Sequence, residues 1–127
     1  MIPVRRRAGL IGLWVAQITL ASLFLNAGGS KLAGTPDMVA LFEAIGVGQW
    51  FRYVTGLIEV GSAIALLVPS LALFGAVALV ATMLGAIATH VFVIGGSPAV
   101  PAVLLLAALV VVWARRGQLL AALRGAR

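Results

Sequence analysis

The sequence contains no cysteine. That excludes disulfides, CxxC redox chemistry and thiolate metal sites within the chain. Other metal-ligating groups are nearly as scarce. Asp37, Glu43 and Glu59 are the three acids and His90 is the one histidine. Such a set cannot readily build a protein-only metal site, so none is expected. If electrons pass through this chain, a bound cofactor or a partner must carry them. Charged residues make up 9% of the chain, against about 25% in a soluble domain. Hydrophobic residues make up 63%. A soluble chain this apolar would expose large adhesive patches, whereas a bilayer asks only for apolar runs of about 20 residues. The composition therefore describes a single membrane domain over residues 1–127.

The net charge is +6, but its placement argues against nucleic acid. Arg5, Arg6 and Arg7 precede the first apolar run, and Arg115, Arg116, Arg124 and Arg127 follow the last. No basic face carries interleaved aromatics. Basic residues flanking apolar runs mark the cytoplasmic side and attract anionic headgroups. The leading arginines followed by an apolar stretch also fit a signal peptide. The uncharged run Ala8 to Ser30 exceeds a signal core of roughly 7–15 residues, so an uncleaved first span is expected.

Four spans follow from the apolar runs and their breaks, at about 8–28, 50–68, 71–94 and 99–114. Gly28-Gly29 is expected to end the first. Val68-Pro69-Ser70 forms a tight turn, because proline lacks a donor and disfavours helix in the residue before it. Gly95-Gly96-Ser97-Pro98 ends the third. Four crossings put both arginine-rich termini on one side, which predicts both cytoplasmic in a bacterial-type inner membrane. Between the first two spans, Thr35-Pro36 reads as an N-cap with proline at the first helical position. Met38, Leu41, Phe42 and Ile45 share a helical face, and Gly46 can terminate the helix. This segment is too short to span and reads as an amphipathic interfacial helix. Trp50, Phe51 and Tyr53 then anchor the second span at the interface. The expected fold is all-α: an integral membrane four-helix bundle with a short amphipathic interfacial helix.

Glu59 lies inside an apolar run, about 13 Å along its helix from Trp50 at 1.5 Å per residue. A carboxyl at that depth is costly and points to function, with interhelical hydrogen bonding as the structural alternative. Arg52, Thr55, Glu59 and Ser62 fall on one helical stripe. Gly56 and Ala63 flank that stripe, and small residues there would let another helix come close. In the first span, Thr19, Ser22 and Asn26 form a similar stripe, continued by Ser30 and Lys31. In the third, Thr82, Ala86 and His90 share a face, with Ala81 and Gly85 as a small-residue pair. The fourth has no polar residue between Pro101 and Trp113 and reads as a lipid-facing packing element. By depth, Glu59, His90, Asn26 and Lys31 can converge in the outer half of the bundle, with Thr55 and Arg52 alongside. Such a pocket would be polar inside and walled by apolar groups, the usual form of a small-ligand site. An approach of Lys31 or Arg52 would keep Glu59 ionised. Without one, Glu59 could be protonated and donate a hydrogen bond.

The same residues carry a resemblance. Gly28-Gly29-Ser30-Lys31-Leu32, Phe42-Glu43-Ala44-Ile45-Gly46, Thr55-Gly56-Leu57-Ile58-Glu59, Leu66-Leu67-Val68-Pro69 and Ala86-Ile87-Ala88-Thr89-His90 occur in the order and spacing of DoxX-like membrane proteins. The chain resembles that family over about residues 10–116. The resemblance implies a four-helix membrane protein connected with oxidoreductases. One branch resembles the small subunit of a thiosulfate:quinone oxidoreductase, and another is associated with a membrane complex that handles oxidative and thiol stress. The family's recurrent Lys, Glu and His fall on Lys31, Glu59 and His90. Without cysteine, no thiol chemistry carries over to this chain.

Three functions fit these readings. The first is a membrane subunit or anchor of an oxidoreductase or stress-response system, whose pocket takes a quinone-like or other small amphipathic ligand. Lys31 or His90 would hydrogen-bond a carbonyl oxygen and Glu59 would exchange a proton. The second is a small proton-coupled transporter relaying through Glu59 and His90, for which no internal repeat is evident. The third is a structural or assembly factor that binds other membrane proteins through the small residues Gly56, Gly61, Ala81 and Gly85. Whether the chain is an enzyme stays open. The expected partners are the lipid bilayer, an oxidoreductase protein and a second copy of the chain.

Overall fold

The computed structural model describes residues 4–125. The described residues form five α-helices and contain no strand: α1 (Val4–Ala33), α2 (Pro36–Ile45), α3 (Trp50–Leu66), α4 (Ala72–Thr89) and α5 (Ala99–Gly125). A π-helical turn, His90–Ile94, continues α4. Three segments are long and apolar enough to cross a membrane: Arg7–Ala33, Ala72–Ile94 and Ala99–Gly117. Among the arginines flanking the spans, Arg127 lies outside the described residues, as do the side chains of Arg5 and Arg6.

Each of the four longer helices packs on two of the others. Helix α1 packs on α3 and α5, and α4 packs on α3 and α5. Leu20, Ala21 and Phe24 of α1, Ala63 and Leu66 of α3, Ala76, Leu79 and Met83 of α4, and Ala108 and Val111 of α5 form the shared core. The outward residues are apolar as well, including Ile11, Leu57, Phe74, Leu84 and Val110. That pattern suits a hydrocarbon surround. Helix α5 is therefore more than a lipid-facing wall, since it supplies core on one side.

Glycines set how close the helices come, and they correct the expected end of the first helix. Helix α1 continues through Gly28-Gly29 to Ala33. Gly28 is a contact point: a Cβ there would lie 2.9 Å from the Gly56 carbonyl oxygen and 2.8 Å from Val60 Cγ2. Reciprocally, a Cβ on Gly56 would lie 3.1 Å from the Gly28 carbonyl oxygen. Helices α1 and α3 thus meet backbone to backbone at this level. At the Pro69 end of the molecule, a Cβ on Gly75 would come 2.7 Å from the Ser62 carbonyl oxygen, so α3 and α4 touch just above their turn. By contrast, Gly61, Ala81 and Gly85 are exposed, and a Cβ on Gly61 or Gly85 would meet nothing within 4 Å. Gly61, Ala81 and Gly85 thus turn away from the shared core and leave small-residue faces open on the outside.

Helix α2 has Pro36 in its first turn and Gly46 at φ 83° as its C-cap, donating from its N–H to the Phe42 carbonyl. Thr35 occupies the N-cap position without making a side-chain capping bond. Phe42 is buried and Leu41 and Ile45 are half-buried, while Asp37, Ala40, Glu43 and Ala44 are exposed. The expected amphipathic face is the one that turns inward.

Gly75→Val should lower stability by about 1–3 kcal/mol through overpacking against the α3 backbone. Gly61→Ala should be neutral or stabilising by up to about 1 kcal/mol, because the site is open and helical. Thermal unfolding of both variants in detergent checks the contrast.

Candidate functional site

The residues of α3 that face inward include Arg52, Gly56, Glu59, Ser62, Ala63 and Leu66. This is the stripe expected from their three- and four-residue spacing. Glu59 is 2% exposed. Lys31, in the last turn of α1, donates from Nζ to Glu59 Oε2 at 3.0 Å. The long α1 makes this pair. Were the helix to stop at Gly28-Gly29, Lys31 would leave the α3 face. Lys31 spends one of its three N–H donors on Glu59, which leaves two for another acceptor.

Arg52 is also buried, at 5% exposure, but it serves different partners. Its Nε donates to Gln49 Oε1 at 2.7 Å, and its Nη1 donates to the Lys31 carbonyl. Its guanidinium lies over the Tyr53 ring, 4.4 Å from the centroid. Gln49 Nε2 in turn donates to the Val39 carbonyl at 3.0 Å. Arg52 and Gln49 thereby tie the end of α1 and the middle of α2 to the start of α3. Arg52 positions the helix end that carries Lys31. Gln49 is the single polar side chain of the short linker 46–49, which carries no periodic signal.

The ion pair opens on a cavity of about 470 Å³, within the range of small-ligand pockets. Its walls come from all five helices. They include Phe24 and Lys31 of α1, Leu41, Phe42 and Ile45 of α2, and Thr55 and Glu59 of α3. Thr82, Met83, Thr89 and His90 line it from α4 and the π turn, and Val100, Pro101 and Leu104 from α5. Lys31, Glu59, Thr55 and His90 are therefore brought to one chamber. Their hydroxyl neighbours are already satisfied along their own helices. Thr55 donates to the Phe51 carbonyl, Thr82 to that of Ala78 and Thr89 to that of Gly85, each at 2.8 Å.

His90 Nδ1 lies 2.9 Å from the Ala86 carbonyl oxygen. A carbonyl only accepts, so Nδ1 carries the proton in this contact. In the neutral ring Nε2 is then an acceptor, and in the charged ring a donor.

Asn26 does not belong to this group. It is exposed, as are Thr19 and Ser22, so that stripe of α1 faces away from the core. Ser22 shows why the stripe misleads, since its hydroxyl donates to the Ile18 carbonyl at 2.8 Å. A hydroxyl satisfied by its own helix carries no information about which face is buried. The inward face of α1 instead runs Gln17, Ala21, Phe24, Gly28 and Lys31. Gln17 is fully buried. Its Nε2 donates to the Leu66 carbonyl at 2.7 Å, and its Oε1 accepts from Arg115 Nε at 2.9 Å. Arg115 also lies over the Trp14 ring. The signal was available: an amide in an apolar run, at helical spacing from Lys31.

Long apolar helices around a chamber holding a buried ion pair and a histidine define an integral membrane protein with a small-molecule-sized polar site. The sequence model of the DoxX-like family matches residues 15–114, and the chain belongs to that family. No curated protein and no solved structure matches it.

Lys31→Met or Glu59→Met alone should destabilise the protein by about 3–5 kcal/mol, because each leaves a buried charge without its partner. The double replacement should recover most of that loss. A double-mutant cycle on thermal midpoints measures it.

Proposed function

We propose that this chain is the membrane subunit or anchor of an oxidoreductase or stress-response system, and that its chamber binds a quinone-like or similar small amphipathic ligand. The observation that carries the reading is the buried Lys31–Glu59 pair opening on a cavity of about 470 Å³ that His90 also lines. Buried ionisable groups in membrane helices are costly and are kept where something is bound or moved.

The residues divide the work by their hydrogen-bonding capacity. The free N–H donors of Lys31 suit a ligand carbonyl oxygen. His90 Nε2 suits a ligand hydroxyl when the ring is neutral, or a carbonyl when it is charged. Glu59 takes or returns the proton that accompanies a change in the ligand's charge. The aromatic and aliphatic groups Phe24, Phe42, Phe51 and Met83 provide the flat apolar surface that a ring system would fill. Thr55 contributes to the wall and Arg52 holds the helix end.

The proposed topology makes α3 a fourth crossing and α2 a helix lying at the interface. Helix α3 has 17 residues, about 25 Å at 1.5 Å per residue. That is short for a hydrocarbon core of about 30 Å. Its packing between the spans α1 and α4 supports the same layer for it. The four crossings leave both arginine-rich ends cytoplasmic.

Binding of a decyl-substituted benzoquinone, followed by tryptophan fluorescence in nanodiscs, tests the ligand. Glu59→Gln and His90→Phe should each weaken it about tenfold or more, the expected loss of one charged or strong hydrogen bond. Unchanged affinity in both, or no binding to the parent protein, removes the quinone-like reading. The native absence of cysteine makes topology simple to read. Ser97→Cys should react with an impermeant maleimide applied outside intact cells. Gly125→Cys should react only after permeabilisation.

A further inference from the structure

We infer that the chamber is filled sideways from the bilayer, through a portal between α3 and α4, by a membrane-dissolved amphiphile whose tail stays in the gap between Val54, Ile58 and Gly85. This deepens the proposed function and rests on its site. It specifies a tailed lipid-soluble molecule and the route by which it arrives.

The argument rests on how polarity and exposure are distributed over the cavity wall. Four lining residues are exposed: Val54 at 40%, Ile58 at 43%, Val100 at 70%, and Gly85. None is polar. The charged groups lie deep, with Glu59 2% exposed and the Lys31 side chain 13%. A site loaded from water normally shows polar groups at its rim, which hold a hydrated ligand while it desolvates. Here the most exposed part of the lining, which a ligand meets first, is apolar. Such a path costs a lipid-borne molecule little, and it penalises a hydrated one by the loss of its water contacts.

The gap also has a defined extent. Toward the Pro69 end, α3 and α4 touch at Gly75 and Ser62, where no Cβ would fit. Farther along, residues of the facing stretches 54–59 of α3 and 82–90 of α4 and its π turn line a cavity. Helix α2 covers its top through Leu41, Phe42 and Ile45. The opening therefore lies on the flank of the molecule, at the level of the ion pair. Gly85 sits on this rim, and a Cβ added to it would meet nothing within 4 Å, so glycine there is not required by packing. Its effect is to leave the rim open.

The open space at Gly85 also supplies the test. A Cβ at Gly85 meets open space, and Gly85→Trp should obstruct the portal. Ile58→Trp, on the opposite edge at another exposed position, provides a second variant should the first fail to fold. The probe is a long-chain fatty acid with a photoactivatable diazirine at mid-chain, incorporated into nanodiscs with the full chain, and adducts are mapped by peptide mass spectrometry. Met83 reports the chamber, because it lines the cavity and is 5% exposed. Its neighbour Leu84, 54% exposed, reports the lipid-facing surface. In the parent protein both should be labelled. In Gly85→Trp or Ile58→Trp, labelling of Met83 should fall about tenfold while that of Leu84 is unchanged. An unlabelled Met83 in the parent protein, or equal labelling of Met83 in parent and variants, overturns the portal. Labelling of Met83 does not depend on the head group. If it occurs while the decyl-benzoquinone fails to bind, the quinone-like reading falls and the lateral route stands.

Discussion

The structure depends on placing two opposite charges together inside an apolar bundle. Taking either charge out of water costs several kcal/mol, and only close pairing offsets the loss. That requirement dictates the surrounding geometry. Lys31 reaches Glu59 because α1 runs on past its two glycines. The helices come close enough because Gly28 and Gly56 set each backbone against the other. Each member of the ion pair lies three residues beyond one of these glycines, on the same helical face. Arg52 then binds the carbonyl of Lys31 itself. A second buried cation thus stabilises the helix end instead of competing for the carboxylate.

A separate polar tie stands near the middle of α1. Gln17 bridges the end of α3, through the Leu66 carbonyl, and α5, through Arg115. Its amide uses both its donor and its acceptor side, which is the condition for burying it without penalty. Helix α1 is therefore tied by polar bonds near its middle and in its last turn, and between them by Leu20, Ala21 and Phe24. Apolar contacts alone tolerate sliding of one helix along another. Two specific polar contacts on one helix favour a single register.

Much of this was legible in the sequence, and the failures share a cause. The helical content, the inward face of α3, the inward face of α2 and the Gly46 cap all followed from spacing. The inward placement of Lys31, Glu59 and His90 followed from the rarity of ionisable groups in an apolar chain. The buried face of α1 did not. Its three polar residues Thr19, Ser22 and Asn26 outnumbered the single Gln17, yet they face outward. Counting polar residues treats a hydroxyl that bonds its own helix as equal to an amide that needs outside partners, and only the second constrains packing. The glycines failed for a related reason. A glycine can end a helix or admit a neighbour, and a single sequence does not say which. At Gly28 the neighbour α3 decides it. At Gly61 and Gly85 no neighbour comes, although their spacing was as suitable for packing.

The shared core and the cavity beside Glu59 divide the molecule into two unlike halves. Toward the Pro69 end the interior is filled, by Leu66, Ala76 and Leu79 among others; at the level of Glu59 and His90 the helices enclose empty volume. The filled half carries the burden of holding the chain together, and it can do so whatever occupies the hollow one. Changes in half-buried apolar side chains around the hollow that lie outside the core, such as Leu41 and Ile45, therefore meet little resistance from folding. A scaffold partitioned in this way can alter its choice of guest while keeping its shape, because the residues that discriminate and the residues that support are largely different.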